Sequence, residues 1–189
     1  MTKVLVLYYS RSGRTKKLAQ SIALGVAKTG AEAVLRSVPS LHNDTDKTSE
    51  QFVSKDELVN CDALALGSPT RFGQMATPLK QFIETTSDTW LNGELIDKPA
   101  CVFTSTGSMH GGQETTLLSL ALPLLHHGMM LVGIPYSLPE LHKTRSGGSP
   151  YGASHVESSD SSLLSNDEKT LAISLGERLA ITAAKLKKD

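Results

Sequence analysis

A doubly wound α/β fold with a parallel sheet of about five strands is what this chain predicts. Short apolar runs of strand length alternate with segments of helical periodicity along the 189 residues. The first apolar run opens through a polar, glycine-containing turn straight into a helix, the unit from which such sheets are wound. With 39% hydrophobic and 20% charged residues, the chain is expected to form a single domain, residues 1–189, that buries most of its apolar side chains.

The elements follow in order. Lys3-Val4-Leu5-Val6-Leu7-Tyr8-Tyr9 is a continuous apolar run, the pattern of a strand covered on both faces. Leu18, Ile22 and Val26 then recur every four residues, with Gly30 as the stop. Ala33 to Val38 reads as the second strand and the polar stretch Pro39 to Lys55 as a loop. Asp62 to Gly67 is the third strand, and Thr77-Pro78 supplies an N-cap and an N1 proline for a helix carrying Leu79, Phe82 and Ile83. Pro99 to Thr104 is the fourth strand. Gln113 to His127 is a helix that Pro123 is expected to kink or shorten, and Met129 to Ile134 is the fifth strand. A Gly/Ser-rich tract runs from Pro135 to about Leu164. Ser165 and Glu168 then make a capping box for a closing helix with Leu171, Leu175 and Leu179 on one face.

Composition narrows the function. Nineteen Lys+Arg balance nineteen Asp+Glu, so no net field draws the protein to a nucleic-acid backbone or an anionic membrane. Two cysteines, Cys61 and Cys101, are too few for a disulfide framework, suit a reducing compartment, and read as small packing residues. No apolar run approaches the ~20 residues of a membrane span, and the start of the chain does not read as a signal peptide, so a cytoplasmic protein is expected. His42, His142 and His155 fall in polar stretches, are expected to be solvated, and show no metal-ligand spacing.

Ligands of such a sheet sit at the carboxyl ends of its strands. The loops there read Ser10-Arg11-Ser12-Gly13-Arg14-Thr15 after strand one and Gly67-Ser68-Pro69-Thr70-Arg71-Phe72-Gly73 after strand three. The loop after strand four reads Ser105-Thr106-Gly107-Ser108-Met109-His110-Gly111-Gly112-Gln113. The first opens a helix, so its backbone N–H groups and the helix dipole suit a phosphate dianion. Taken alone, a capped helix start without a ligand is the lesser alternative. It has neither the Gly-Lys-Ser/Thr ending of a Walker loop nor a Gly-x-Gly-x-x-Gly turn. Three polar, glycine-containing loops on one edge have no packing reason to coincide, and a mononucleotide-like ligand with phosphate on the first and a flat ring against the others accounts for them.

These residues resemble the flavodoxin-like family and, within it, the WrbA-type NAD(P)H:quinone oxidoreductases. The similarity lies in Val4 to Thr15, Gly67 to Gly73, Trp90-Leu91-Asn92-Gly93, Phe103 to Glu114, His126-His127-Gly128-Met129 and Gly147 to Ala153. It implies the strand order 2-1-3-4-5 and an FMN cofactor whose phosphate is held by Ser10, Arg11, Ser12, Gly13, Arg14 and Thr15. Pro69, Thr70, Arg71, Phe72 and Gly73 would line the isoalloxazine. Ser105, Thr106, Gly107, Ser108, His110 and Gly111 would contact ring and ribityl chain, with His126 at the pyrimidine edge. Trp90 would cover the flavin from a neighbouring subunit of a homotetramer and meet the substrate. Without the resemblance, Trp90 is a partly buried aromatic, and His126 and His127 are cations complementing a helix C-terminus.

The activity so implied is two-electron reduction of a quinone by NAD(P)H, the two substrates using one flavin face in turn, hence ping-pong kinetics. The alternative is a flavodoxin-type one-electron carrier, against which the zero net charge speaks, since docking on basic partners needs an acidic surface. A hydrolase is excluded by the lack of a Gly-x-Ser-x-Gly elbow, and a response regulator by the lack of an acidic pair after the first strand.

Overall fold

Strand β1, Lys3–Tyr8, alternates its side chains between two apolar layers. Val4, Val6 and Tyr8 face one core, while Leu5 and Leu7 face another. The computed structural model describes residues 1–41, 51–157 and 163–187. After β1 come α1 (Arg14–Lys28), β2 (Glu32–Ser37), α2 (Lys55–Val59), β3 (Ala63–Arg71) and β4 (Gln74–Met75). Then follow α3 (Thr77–Glu84), α4 (Ser87–Leu91), β5 (Pro99–Thr106), α5 (Gln113–His126) and β6 (Met130–Leu131). The order closes with α6 (Glu140–Lys143), β7 (Ala153–Val156) and α7 (Asn166–Leu186).

The main sheet is parallel, in the order β2-β1-β3-β5-β6. In strand positions this is the expected 2-1-3-4-5. Helices α1 and α7 cover one face, packing Leu18, Ile22, Leu171, Leu175 and Leu179 on Val4, Val6, Ala65 and Phe103. Helices α3 and α5 cover the other with Leu79, Leu117, Leu120 and Leu124. Each fully buried Leu, Ile or Phe contributes roughly 1.5–3 kcal/mol.

Several sequence expectations are corrected. The fifth strand is made of two pieces. β6 pairs the start of β5, the chain leaves the sheet after Val132, and β7 returns beside Phe103–Thr106. The Gly/Ser-rich tract thus holds a helical turn and a strand, and His155 is on that strand, 1% exposed, with its Nδ1–H donating to Glu168 Oε2 at 2.9 Å. Its polar neighbours hid the strand; the carboxylate makes burial of the imidazole tolerable. His42 lies outside the described residues, and His142 is exposed.

Part of the Pro39–Lys55 stretch is structured. Ser37 exchanges backbone hydrogen bonds with Gln51 and Val53, and a Ser54–Glu57 capping box starts α2. Helix α3 begins at Thr77 itself, with extended Ala76 in the cap position, its N–H donated to the Ser68 hydroxyl at 2.7 Å. Helix α5 continues three residues past Pro123. Both cysteines are buried, and burial pushes the Cys61 thiol up to about 11 and Cys101 higher still. Among the described residues no helix is long and apolar enough to cross a membrane.

Candidate active site at the carboxyl edge of the sheet

β1, β3 and β5 run parallel and end together, so their following loops share one edge. The first is fastened from below. Tyr9 donates its N–H to Gly67 O at 3.0 Å, and Thr15 Oγ1 meets Ser105 Oγ at 2.8 Å in a buried contact. Ser10 Oγ accepts the N–H of Lys16 at 3.3 Å. Gly13 takes the cap position of α1 with φ +81°, and a Cβ there would meet nothing within 4 Å. A glycine with open space above it, ahead of a helix N-terminus, leaves room for an anion at the first backbone N–H groups of α1.

The second and third loops touch. A Cβ at Gly112 would stand 3.0 Å from Gly73 Cα, and Thr70 Oγ1 meets Thr116 Oγ1 at 2.7 Å. The tips are strained: Phe72 has φ +52° and His110 φ +56°, each a left-handed conformation that costs a non-glycine residue of order 1 kcal/mol or more. Phe72 is fully exposed, so no core contact explains it. Arg71 is also exposed, with Nη1 on Thr70 O at 2.7 Å. Thr106 Oγ1 donates to Ser108 O at 2.9 Å, shaping the third loop, whose Gly107, Ser108 and His110 are open.

Two buried polar atoms border this edge without a partner among the described residues: Arg14 Nε and Gln113 Oε1, on the first residues of α1 and α5. Leaving either unmade costs about 1–3 kcal/mol, so both point to a polar ligand between the loops. From the sequence, Gln113 ends the third loop but is not among the expected FMN contacts. A polar residue directly after Gly111-Gly112, at a helix start, was the available signal.

His126 and Trp90 are elsewhere in the same chain. α5 starts beside Gly73 and carries His126 some 20 Å away at its other end, where Asp97 N–H bonds Gly128 O at the amino edge of the sheet. Both residues line a groove of about 490 Å³ that runs from Gln74 past Ile83, Leu122 and Pro123. Trp90 is 50% exposed there. His127 is not the cation its place at a helix end suggested. Burial, and then the neighbouring His126, holds its pKa below the usual value. The Thr86 hydroxyl gives its one proton to Ile83 O at 2.6 Å, so His127 Nε2–H donates to Thr86 Oγ1 at 3.0 Å from a neutral ring.

The family model of NADPH-dependent FMN reductases matches residues 2–141. The chain belongs to that family. A relative from Chromohalobacter salexigens described as NAD(P)H dehydrogenase (quinone) is 43% identical over 98% of this chain and 99% of its own. Another of the same description, from Gluconacetobacter diazotrophicus, is 40% identical with the same coverage. Among solved structures, a WrbA-like flavodoxin from Agrobacterium tumefaciens superposes with a TM-score of 0.74 at 24% identity, covering 99% of this chain and all of that one. A flavodoxin from an archaeon reaches 0.67 at 21% identity, covering 97% and 99%. These structural likenesses establish the flavodoxin-like fold, and the sequence relatives bear out the resemblance drawn from the motifs.

Proposed function

We propose that this family member is an FMN-dependent NAD(P)H:quinone oxidoreductase. The observation that carries the reading is the convergence of three linked, ligand-shaped loops whose bordering Arg14 and Gln113 hold unpaired buried atoms. Near-full-length relatives described as quinone dehydrogenases supply the reaction class. FMN supplies the chemistry when bound, accepting a hydride from NAD(P)H and returning two electrons, with protons, to a quinone that leaves as hydroquinone.

The chain's own residues bind and orient. Ser10, Ser12 and Thr15 with the opening turn of α1 take the phosphate, and Arg11 and Arg14 neutralise it. Pro69 to Gly73 and Ser105 to Gly111 flank the ring and the ribityl chain, their strained tips fixing the width of the slot. A second copy of the chain, in a homotetramer, brings Trp90 as the wall over the quinone and His126 to the pyrimidine edge, where a donor stabilises the charge gathered on reduction. One slot then serves NAD(P)H and quinone in turn.

The purified protein is expected to show a flavin absorbance spectrum and to oxidise NAD(P)H with benzoquinone, with initial-rate plots forming parallel lines. Lines that intersect at all concentrations would remove the shared slot. A flavin-bearing protein that leaves NAD(P)H unoxidised would be a one-electron carrier instead.

A further inference from the structure

Arg14 and Glu157 form an ion pair that neither the sheet nor the electron transfer needs. Arg14 opens α1; Glu157 follows β7, 143 residues along the chain. Arg14 Nη2 donates to Glu157 Oε1, and Nη1 donates to the Ser12 hydroxyl at 3.0 Å. Nε, on the same edge of the guanidinium as Nη2, is buried and has no partner among the described residues. The carboxylate therefore uses half of an edge that a matched oxyanion takes with two parallel hydrogen bonds. Glu157 Oε2 turns instead toward the third loop, 3.8 Å from where a Gly107 Cβ would stand, while Glu157 N–H holds Thr106 O at 2.9 Å.

The charges around the first loop make this carboxylate conspicuous. Arg11, Arg14, Lys16 and Lys17 lie in the loop and the first turn after it. Among the described residues Glu157 is the carboxylate paired with Arg14, and a fixed carboxylate beside the seat of a phosphate dianion opposes its binding. We propose that Glu157 is a resident counter-anion of the loop: it pairs Arg14 when no phosphate is bound and yields the Nε–Nη2 edge when one arrives. The pair thereby sets how strongly the protein prefers FMN to riboflavin. This rests on the first loop as the phosphate seat. Displacing Glu157 burdens FMN alone, since riboflavin ends in a hydroxyl and leaves the ion pair standing.

Titrating flavin fluorescence with flavin-free full-length protein tests it, using FMN and riboflavin as probes. Glu157→Gln keeps size and hydrogen-bonding reach but removes the charge. Its FMN Kd is expected to fall about fivefold, the scale of a partly buried ion pair, with riboflavin unchanged. In an Arg14→Gln background the same substitution should give a smaller gain, because only the direct repulsion between carboxylate and phosphate is left to remove. An FMN Kd that stays or rises, or a riboflavin Kd that falls in parallel, overturns the inference. Ser10→Ala separates the two layers. If it lowers the preference for FMN while Glu157→Gln changes nothing, the loop holds phosphate and only the counter-anion falls. If Ser10→Ala leaves the FMN-to-riboflavin ratio untouched, the phosphate seat is elsewhere and both fall.

Discussion

Glu168 is a buried carboxylate that ties three segments of the chain together. Its carboxylate accepts from Gly147 N (2.8 Å), Val156 N (3.0 Å), Ser165 N (2.8 Å) and His155 Nδ1 (2.9 Å), joining the tract before β7, β7 itself and the start of α7. Burial pushes its pKa up, but the hydrogen bonds from His155 and from the backbone N–H groups of Val156 and Ser165 outweigh this and hold it at about 2. A folded pKa below the unfolded value gives stability that is complete above about 4.5 and is lost as pH falls towards 2. Urea midpoints should therefore drop steeply over that window in the wild type. Glu168→Gln should cost about 1–3 kcal/mol near neutral pH and flatten the acid dependence, because it removes the titrating carboxylate and leaves the buried donors around it with a poorer acceptor. Parallel acid profiles for the two proteins would show that the carboxylate is not what titrates. The sequence disclosed the capping box of Glu168 with Ser165, a local pattern. It could not disclose the partnership with His155, because a lone His in Ala-Ser-His-Val has no hydropathy signal for burial.

At the scale of elements, the packing of α1 on α7 depends on a reciprocal close approach. A Cβ at Gly25 would stand 2.0 Å from Ile173 O, and one at Gly176 would stand 2.1 Å from Ile22 O. Each obstacle is a backbone carbonyl that cannot rotate aside. Gly176→Ala should accordingly destabilise by about 1–3 kcal/mol, although alanine is the better helix former by about 1 kcal/mol. Chemical denaturation should show a lower midpoint with an unchanged slope. A midpoint at or above the wild type would mean that the helices separate at no cost. Leu171, Leu175 and Leu179 announced this helix through their spacing, whereas the glycine between them announced nothing, since closeness of backbones is a property of two helices together. The divided fifth strand was illegible for a related reason. Met129 to Ile134 is an apolar run, and only the competing backbone of Pro150, which accepts the N–H of Ile134 at 3.0 Å, shows that it leaves the sheet early.

For the whole molecule, the three loops were legible because parallel topology alone gathers them at one edge. The distance between them and the pair Trp90 and His126 was not, because sequence proximity to a motif says nothing of which end of a helix a residue occupies. The groove that holds Trp90 continues into an apolar stripe on the outer face of α5, where Leu118, Leu122 and Leu125 are exposed. A stripe of that size on a helix suits contact with another surface, which the proposed homotetramer would supply as a second copy. Stacking on a quinone contributes on the order of 1 kcal/mol, so Trp90→Ala should raise the quinone KM several-fold while leaving FMN affinity little changed. Diluting the wild type below its assembly constant should lower specific activity as well, since each monomer then presents a slot with one wall missing. Sedimentation run alongside the assay distinguishes the cases. A fully active monomer, together with unaltered quinone kinetics in Trp90→Ala, would confine Trp90 to packing within its own groove and make each chain a complete enzyme.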